Sequence, residues 1–178
     1  IHAKVWGILP KDRIEIKTKK ENVDYRKLIA AGSCFAEGEE VIDYGFVERW
    51  ILGLEEKYGV EVMQVGYDRY NAISTVQKLE ANSMECVEVK QHSSVLHPPT
   101  KLLREAILKK EFAYDENRLL EINFQNARCT EDTNLNKYVN KKRSAGKVDM
   151  VVSTIIAVYL MQQAMLDNSE LDWGIQVI

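Results

Sequence analysis

Cysteine and proline are scarce in this sequence, and their scarcity limits the kinds of protein it can encode. The three cysteines, Cys34, Cys86 and Cys129, are far apart along the 178-residue chain and form no CxxC pair. This spacing argues against a zinc site and is typical of reduced thiols in a cytosolic protein. Only three prolines are present and no segment has low complexity, so no long linker is predicted.

The sequence also lacks the short motifs of several large enzyme classes. It contains no GxxxxGK(S/T) phosphate loop and no dinucleotide fingerprint, so the chain alone should not hydrolyse ATP. Neither a GxSxG elbow nor an assigned partner acid accompanies His92, Ser93 and His97, which disfavours a serine hydrolase. His92 is interpreted as a neighbour of the site and His97 as structural.

No uninterrupted apolar run is long enough to span a membrane. The longest apolar stretch, residues 148–165, contains Asp149, Ser153, Thr154 and two glutamines. It predicts a buried helix rather than a membrane span. The sequence shows no signal peptide, and no membrane partner is expected.

The composition itself is that of an ordinary globular domain. Hydrophobic residues make up 46% of the chain and charged residues 29%, which is enough for one domain with a real core. DNA-binding proteins are often basic overall, so the net charge of -3 counts mildly against a nucleic-acid partner. It still allows a local basic patch beside an acidic metal site.

Hydrophobic periodicity and turn residues predict an α/β protein. Between residues 60 and 110 the predicted order is strand, helix, strand, helix, which favours parallel strand pairing. The predicted elements are, in chain order, a strand over 2–9 ended by Pro10, an irregular segment over 10–22, one or two helical turns over 25–31, a short strand or turn over 35–38, a helix from the N-cap Asp43 to Gly59, a strand over 60–68, a helix over 71–81, a strand over 86–89, a helix whose first turn contains Pro98 and Pro99, a hairpin formed by 128–131 and 137–140, and a helix over 147–166.

Asp68 is the first candidate site residue. It lies at the C-terminal end of the strand predicted over 60–68. In an open α/β sheet, ligands and catalytic groups gather at such ends, and Gly66 lets the backbone pass closely. The alternative is that Asp68 only caps the turn or helix that follows.

Asp149 is the second candidate, at the start of the most hydrophobic predicted helix. The helix dipole favours a carboxylate there, so it too has a purely structural interpretation, and Ser144 or Gly146 could be the cap instead. A carboxylate at a strand end and another at a helix start can share a divalent cation such as Mg2+. Two such ions about 4 Å apart promote phosphodiester hydrolysis.

The densest basic stretch directly precedes Asp149. Charge runs are often only solvated surface, but they also contact nucleic-acid phosphates without reading base sequence. Lys147, two residues before Asp149, could steady the scissile phosphate. The basic residues are Lys137, Lys141, Lys142, Arg143 and Lys147.

Several motifs resemble, in order and spacing, the nuclease half of tailed-phage large terminase subunits. The most specific part is a Gly-Tyr-Asp ending at Asp68, followed about 80 residues later by a Lys-Val-Asp ending at Asp149. A lone Gly-x-Asp would carry little weight, but the likeness covers nearly the whole chain. The matching segments are 65–72, Gln91-His92, 96–101, Asn126-Ala127 and 141–149.

The resemblance implies a ribonuclease H-like fold over residues 1–166, with a central mixed sheet flanked by helices, and a C-terminal tail over 167–178. It also implies a cluster of acidic residues that binds Mg2+ or Mn2+, with two ions in the complete site. Asp68 matches the family's second carboxylate and Asp149 its last.

The family's first carboxylate belongs to an opening strand that would precede the strand over 2–9. The chain is therefore expected to begin one strand too late. Asp12 follows the strand and is not assigned to that role. Two carboxylates hold metal less well than three, so the possibility that this chain does not cut DNA by itself stays open.

The function that the resemblance implies is metal-dependent endonuclease cleavage of concatemeric double-stranded DNA during phage genome packaging, in the host cytoplasm. Its implied partners are double-stranded DNA, the portal protein and the small terminase subunit. Without the family's ATPase motor, the chain should not translocate DNA. Two alternatives stay open: a DNA- or portal-binding module without cleavage activity, and a small-molecule enzyme whose pocket is the strand end at Asp68.

Overall fold

The computed structural model describes residues 1–70 and 72–167 of the chain. They divide into two compact units. Unit 1 comprises residues 1–5 and the described part of 91–178, and unit 2 comprises residues 6–90. All of the predicted tail beyond Asp167 lies outside the described residues, as does Asn71, where one predicted helix begins.

The elements are mostly short helices and very short strands. In chain order they are β1 His2–Ala3, β2 Gly7–Leu9, a single 3-10 turn Lys11–Arg13, α1 Ile14–Glu21, α2 Tyr25–Ala30, β3 Cys34–Ala36, α3 Tyr44–Leu52, α4 Leu54–Tyr58, β4 Val65–Tyr67, α5 Ile73–Ala81, β5 Cys86–Glu88, α6 Ser93–Leu108, β6 Ala113–Tyr114, α7 Arg118–Asn126, β7 Cys129–Glu131, β8 Lys137–Val139 and α8 Asp149–Asp167.

The strands pair in twos. In unit 2, β2 pairs with β3 and β4 pairs with β5, both in parallel. In unit 1, β1 pairs with β6 in parallel and β7 with β8 antiparallel. The parallel pairing on either side of α5 and the hairpin are thus confirmed.

A single central mixed sheet is not seen among the described residues, whose hydrogen-bonded strands form four two-stranded sheets. One reason is that strands of two or three residues offer few ladder hydrogen bonds. Another is that residues 60–64, predicted as strand, are not paired. The Val62 N–H donates instead to the Glu55 side chain, at 2.9 Å. Likewise, the strand predicted over 2–9 is interrupted between β1 and β2.

The charged segment over 10–22 was predicted to be irregular, and this was wrong. It contains the 3-10 turn and helix α1. Lysine and glutamate are good helix formers, and Lys17 and Glu21 form an i,i+4 pair at 3.7 Å. Asn22 ends the helix in the left-handed conformation, with φ 52°, a standard way for a helix to stop.

Helix α3 confirms its predicted cap. The Asp43 side chain accepts a hydrogen bond from the Gly45 N–H at 2.9 Å. The predicted single helix up to Gly59 is divided at Gly53 into α3 and α4. Gly59 ends α4 with φ 64°, where a residue without a side chain is favoured.

Helix α6 begins earlier than predicted. It starts at Ser93 with His92 as its cap, so Pro98 and Pro99 lie inside the helix rather than in its first turn. Each proline removes one helical hydrogen bond. Pro99 and its neighbour Leu96 are buried, and this packing offsets the loss.

Helix α8 is the core of unit 1 and confirms the predicted buried helix. It packs against α6 and α7. It is the one helix among the described residues that is long and apolar enough to cross a membrane. Most of its residues from Met150 to Leu160 are buried, whereas Met165 and Leu166 near its end are exposed. Its buried residues are Met150, Val151, Val152, Thr154, Ile155, Ile156, Val158 and Leu160.

The burial of α7 side chains predicts the effect of shortening one of them. Leu120 is 1% exposed, and Leu120→Ala should lower the free energy of unfolding by about 2–5 kcal/mol, because a cavity remains where the side chain was. Urea unfolding followed by circular dichroism measures the change. Leu108→Ala, at a side chain that is 66% exposed, is the control and should change stability by less than about 0.5 kcal/mol. Equal effects would contradict the assignment of the core.

Candidate functional site

Asp68 lies directly after β4, at the strand end predicted from the sequence. Asp68 is half-buried and comes one residue after Tyr67, which lies opposite Glu88 in the parallel pairing of β4 with β5. The Asp68 Oδ1 atom accepts a hydrogen bond from the Tyr70 N–H at 3.3 Å. The carboxylate therefore does cap a turn, as the structural alternative required, and it belongs to unit 2.

Asp149 is the first residue of α8 and belongs to unit 1. Its side chain is 65% exposed, and its Oδ1 lies 3.6 Å from the Lys141 Nζ. Such an exposed ion pair contributes little to stability, about 0–1 kcal/mol. The carboxylate charge is favourable beside the positive end of the helix dipole.

Neither Ser144 nor Gly146 is the cap of α8. The Val148 carbonyl accepts the first helical hydrogen bond, from the Val152 N–H at 3.0 Å, so the helix begins after both. The Ser144 hydroxyl instead donates to the Asn140 carbonyl at 2.8 Å.

The predicted basic stretch forms an exposed turn. Asn140 organises it, because its Oδ1 accepts hydrogen bonds from the Lys142 N–H at 3.0 Å and the Arg143 N–H at 3.3 Å. Lys141, Lys142 and Arg143 are all exposed. The chain thus presents three consecutive cations to solvent, followed by the exposed side chain of Lys147.

The remaining predicted cation, Lys137, lies on the hairpin. Its Nζ is 2.9 Å from the Glu131 Oε1 on the opposite strand, in the register that pairs these two residues. Lys137 and Lys141 therefore each have a carboxylate partner, which reduces the net positive charge that this surface offers.

Arg104 is a cation of this region that the sequence analysis missed. Burial raises the pKa of the Cys129 thiol, and the positive charges of Lys137 and Arg104 oppose that rise. Arg104 is exposed on α6, 33 positions from Lys137, and α6 packs against β8 of the hairpin. Tertiary packing thus places the two cations in one region, and no local sequence pattern could have revealed this.

The hairpin turn is fixed by Asp132, which the sequence analysis also passed over. Its carboxylate accepts hydrogen bonds from the Ser93 hydroxyl at 2.6 Å, the Asn136 side chain at 2.9 Å and the N–H groups of Asn134 and Asn136. These bonds, led by that of Ser93, hold the pKa of Asp132 well below its usual range. The Asp-x-Asn-x-Asn spacing was the available signal, since aspartate binds backbone N–H groups just after it.

The predicted carboxylates suit Mg2+ or Mn2+ by their chemistry, because these ions prefer oxygen ligands. Asp68 and Asp149 belong to different units. Among residues 1–70 and 72–167, no three His, Cys, Asp or Glu side chains are grouped closely enough to hold a metal ion. The oxygen atoms of these two carboxylates thus fit this class of ion by their chemistry.

Comparison with known proteins identifies the class. The sequence profile of "Terminase large subunit, endonuclease domain" matches residues 1–165. The chain therefore belongs to the endonuclease-domain family of terminase large subunits. No curated protein sequence matches it.

Two solved structures are similar. The HK97 bacteriophage large terminase aligns with a TM-score of 0.77 at 19% identity, over 86% of this chain and 32% of that one. The large terminase nuclease from thermophilic phage G20c aligns with a TM-score of 0.52 at 19% identity, over 66% of this chain and 62% of that one. The likeness shows a shared fold, and this chain spans about a third of the length of the HK97 protein.

The lowered pKa of Asp132 predicts a pH dependence of stability. A carboxyl group whose pKa is lower in the folded state stabilises the fold above its unfolded pKa, about 3.9, and loses that contribution as the pH falls. Wild type should therefore lose more stability than Asp132→Asn between pH 5 and pH 3, values chosen to bracket about 3.9. Urea midpoints over this range measure the difference. Parallel losses would contradict the assigned hydrogen bonds.

Proposed function

We propose that this chain is a metal-dependent endonuclease that cuts concatemeric double-stranded DNA during the packaging of a phage genome. The observation that carries the proposal is the family match over residues 1–165. Two features of unit 1 support it: Asp149 opens the core helix α8 with a solvent-exposed carboxylate, and the basic turn 141–143 lies just before it. An acidic group beside exposed cations suits a site that must bind both metal and phosphate.

In this proposal, Asp68 and Asp149 are oxygen ligands of Mg2+ or Mn2+, in a ribonuclease H-like arrangement that binds two ions. When bound, such ions polarise the scissile phosphate and generate a nucleophile from water. The likeness to the HK97 protein, at a TM-score of 0.77, supports a shared fold, and the half-buried position of Asp68 at a strand end supports its role as a rigidly held ligand.

The cations would hold the DNA. Lys142 and Arg143 project from a turn whose backbone is fixed by Asn140, so their charges can approach a phosphate without reordering the chain. Lys137 and Lys141 would exchange their carboxylate partners for phosphate oxygens. We assign Lys147 to the scissile phosphate, because its exposed side chain lies two residues before Asp149, which is also exposed.

The family membership also suggests the setting. Terminase large subunits act in genome packaging, so the proposed substrate is double-stranded DNA and the proposed partners are the portal protein and the small terminase subunit. The proposed location is the host cytoplasm. Packaging by the whole protein would need regions beyond the third of the HK97 protein that this chain matches.

Cleavage should depend on both carboxylates. Asp149→Asn and Asp68→Asn should each reduce metal-dependent plasmid nicking by at least about 100-fold, because an amide is a weaker metal ligand than a carboxylate and carries no charge. Nicking is measured with Mn2+, with Mg2+ and with EDTA, on protein whose circular dichroism matches wild type. Asp167→Asn, at the other end of α8, is the control and should cut normally.

The outcomes separate the proposal from its alternative. Undiminished nicking by Asp149→Asn, or nicking that persists in EDTA, would overturn the assigned site. Salt-sensitive DNA binding by this chain, without nicking under any metal, would replace the endonuclease with a DNA-binding module.

DNA binding should depend on the basic turn. Replacing Lys142 and Arg143 together by alanine should reduce the slope of log K against log salt by about 2, since each lost phosphate contact contributes about 0.9. Fluorescence anisotropy with a short duplex at several salt concentrations measures the slope. The matched control is Lys19→Ala with Lys20→Ala, an equally exposed pair on α1. If the two pairs change the slope equally, the turn is not the DNA interface.

A further inference from the structure

Two asparagines of α7 hold the segment that carries Lys147 and Asp149. Asn123 and Asn126 are three residues apart on this helix, so their side chains share one face. Between them they form hydrogen bonds with three backbone groups of residues 145–150. All of these residues belong to unit 1.

Asn123 caps α8 from a neighbouring helix. It is 3% exposed, and its Oδ1 accepts a hydrogen bond from the Met150 N–H at 3.2 Å. Its Nδ2 donates to the Leu119 carbonyl at 2.9 Å. The first N–H groups of a helix have no partner within it, so this bond satisfies one of them. Rotation of the amide would leave buried polar groups without partners, which is costly, and the start of α8 is therefore fixed against α7.

Asn126 holds the residues just before the helix. Its backbone carbonyl accepts a hydrogen bond from the Ala145 N–H at 2.9 Å, and its side-chain Nδ2 donates to the Lys147 backbone carbonyl at 3.2 Å. A Cβ atom on Gly146 would lie 2.6 Å from this Nδ2 and 3.0 Å from the Asn126 Cγ. That is too close for non-bonded atoms, so the absence of a side chain at Gly146 is what lets the Asn126 amide reach the backbone.

We infer that Asn126, together with Gly146, is a positioning residue for the metal site of this domain. Asn126 acts through the backbone: its hydrogen bonds fix the backbone of residues 145–147, and this sets the position from which the Lys147 and Asp149 side chains extend into solvent. The inference rests on the proposed function, because it requires Asp149 to be a metal ligand. Groups that orient a metal ligand typically contribute about 10- to 100-fold to metal affinity or activity, whereas a half-buried amide that only stabilised the fold would leave metal affinity unchanged.

Mn2+ binding tests this directly. Free Mn2+ is measured by electron paramagnetic resonance during titration of the whole 178-residue chain. Asn126→Ala and Gly146→Ala should each weaken Mn2+ binding by about 10-fold. The double variant should bind no more weakly than Asn126→Ala alone, because truncation of the amide vacates the space that a side chain at position 146 needs.

Asn82→Ala is the matched control. Asn82 lies at the end of α5, and its Nδ2 donates to the Lys78 carbonyl at 2.8 Å, so this variant also loses one amide hydrogen bond at a helix end. It should lower the thermal midpoint about as much as Asn126→Ala and leave Mn2+ affinity at the wild-type value.

The failures are distinguishable. Wild type that binds no Mn2+, or Asp149→Asn that binds as tightly as wild type, would refute the proposed function. If Asp149→Asn loses Mn2+ binding while Asn126→Ala and Gly146→Ala both bind with wild-type affinity, only the positioning role is overturned. Fully additive losses of affinity in the double variant would also overturn that role. If Asn126→Ala does not fold, Gly146→Ala decides by itself, since it removes no hydrogen-bonding group, and unchanged affinity there overturns the inference.

Discussion

The burial of helix α8 is the interaction on which unit 1 depends. Most of its residues from Met150 to Leu160 are buried, and each large apolar side chain removed from water contributes about 1.5–3 kcal/mol. A helix that is apolar on most sides must be covered, and α6 and α7 cover it. Burial changes abruptly at its start: Met150 is 5% exposed, while the Asp149 side chain is 65% exposed. The packing of the core therefore decides where this carboxylate meets solvent.

The segment before α8 is held by a different force. Residues 140–147 are polar or small and bury too little apolar surface to be fixed by packing. Directional hydrogen bonds of the Asn140 and Asn126 side chains replace it within this segment, and the Asn123 side chain binds the Met150 N–H at the start of α8. Amide groups both donate and accept, so they set the path of the backbone as well as its location. A site that must place a carboxylate beside mobile lysine side chains gains rigidity from this arrangement.

The sequence predicted the elements that have strong local signals. The Asp43 cap and the apolar run of α8 were each enough to predict a helix. The charges of α1 were mistaken for a loop, because a helix without a buried face has no periodicity to detect. The two prolines of α6 were placed at the helix start by a general preference that the packing of Pro99 overrides here. The pairing of strands that are far apart in the chain, such as β1 with β6, could not be predicted, since each strand is only two or three residues long.

In the candidate site, too, the residues with local signals could be predicted and the contacts between distant residues could not. Asp68 and Asp149 could be proposed from their positions at the ends of predicted elements and from the family resemblance. The proximity of Arg104 to the hairpin and the bond from Met150 to Asn123 join residues at least 25 positions apart. Such contacts follow from tertiary packing, so one sequence could not reveal them.

Paramagnetic broadening by Mn2+ tests whether this chain binds metal through Asp68 and Asp149, as we propose. Substoichiometric Mn2+ is added to the isotope-labelled chain, and the loss of backbone amide signals is mapped along the sequence. If these two carboxylates bind the ion, the signals of Asp68, Asp149 and their immediate neighbours should disappear first. Broadening centred on other exposed acids, such as Glu39 and Glu40, or no selective broadening at all, would contradict it.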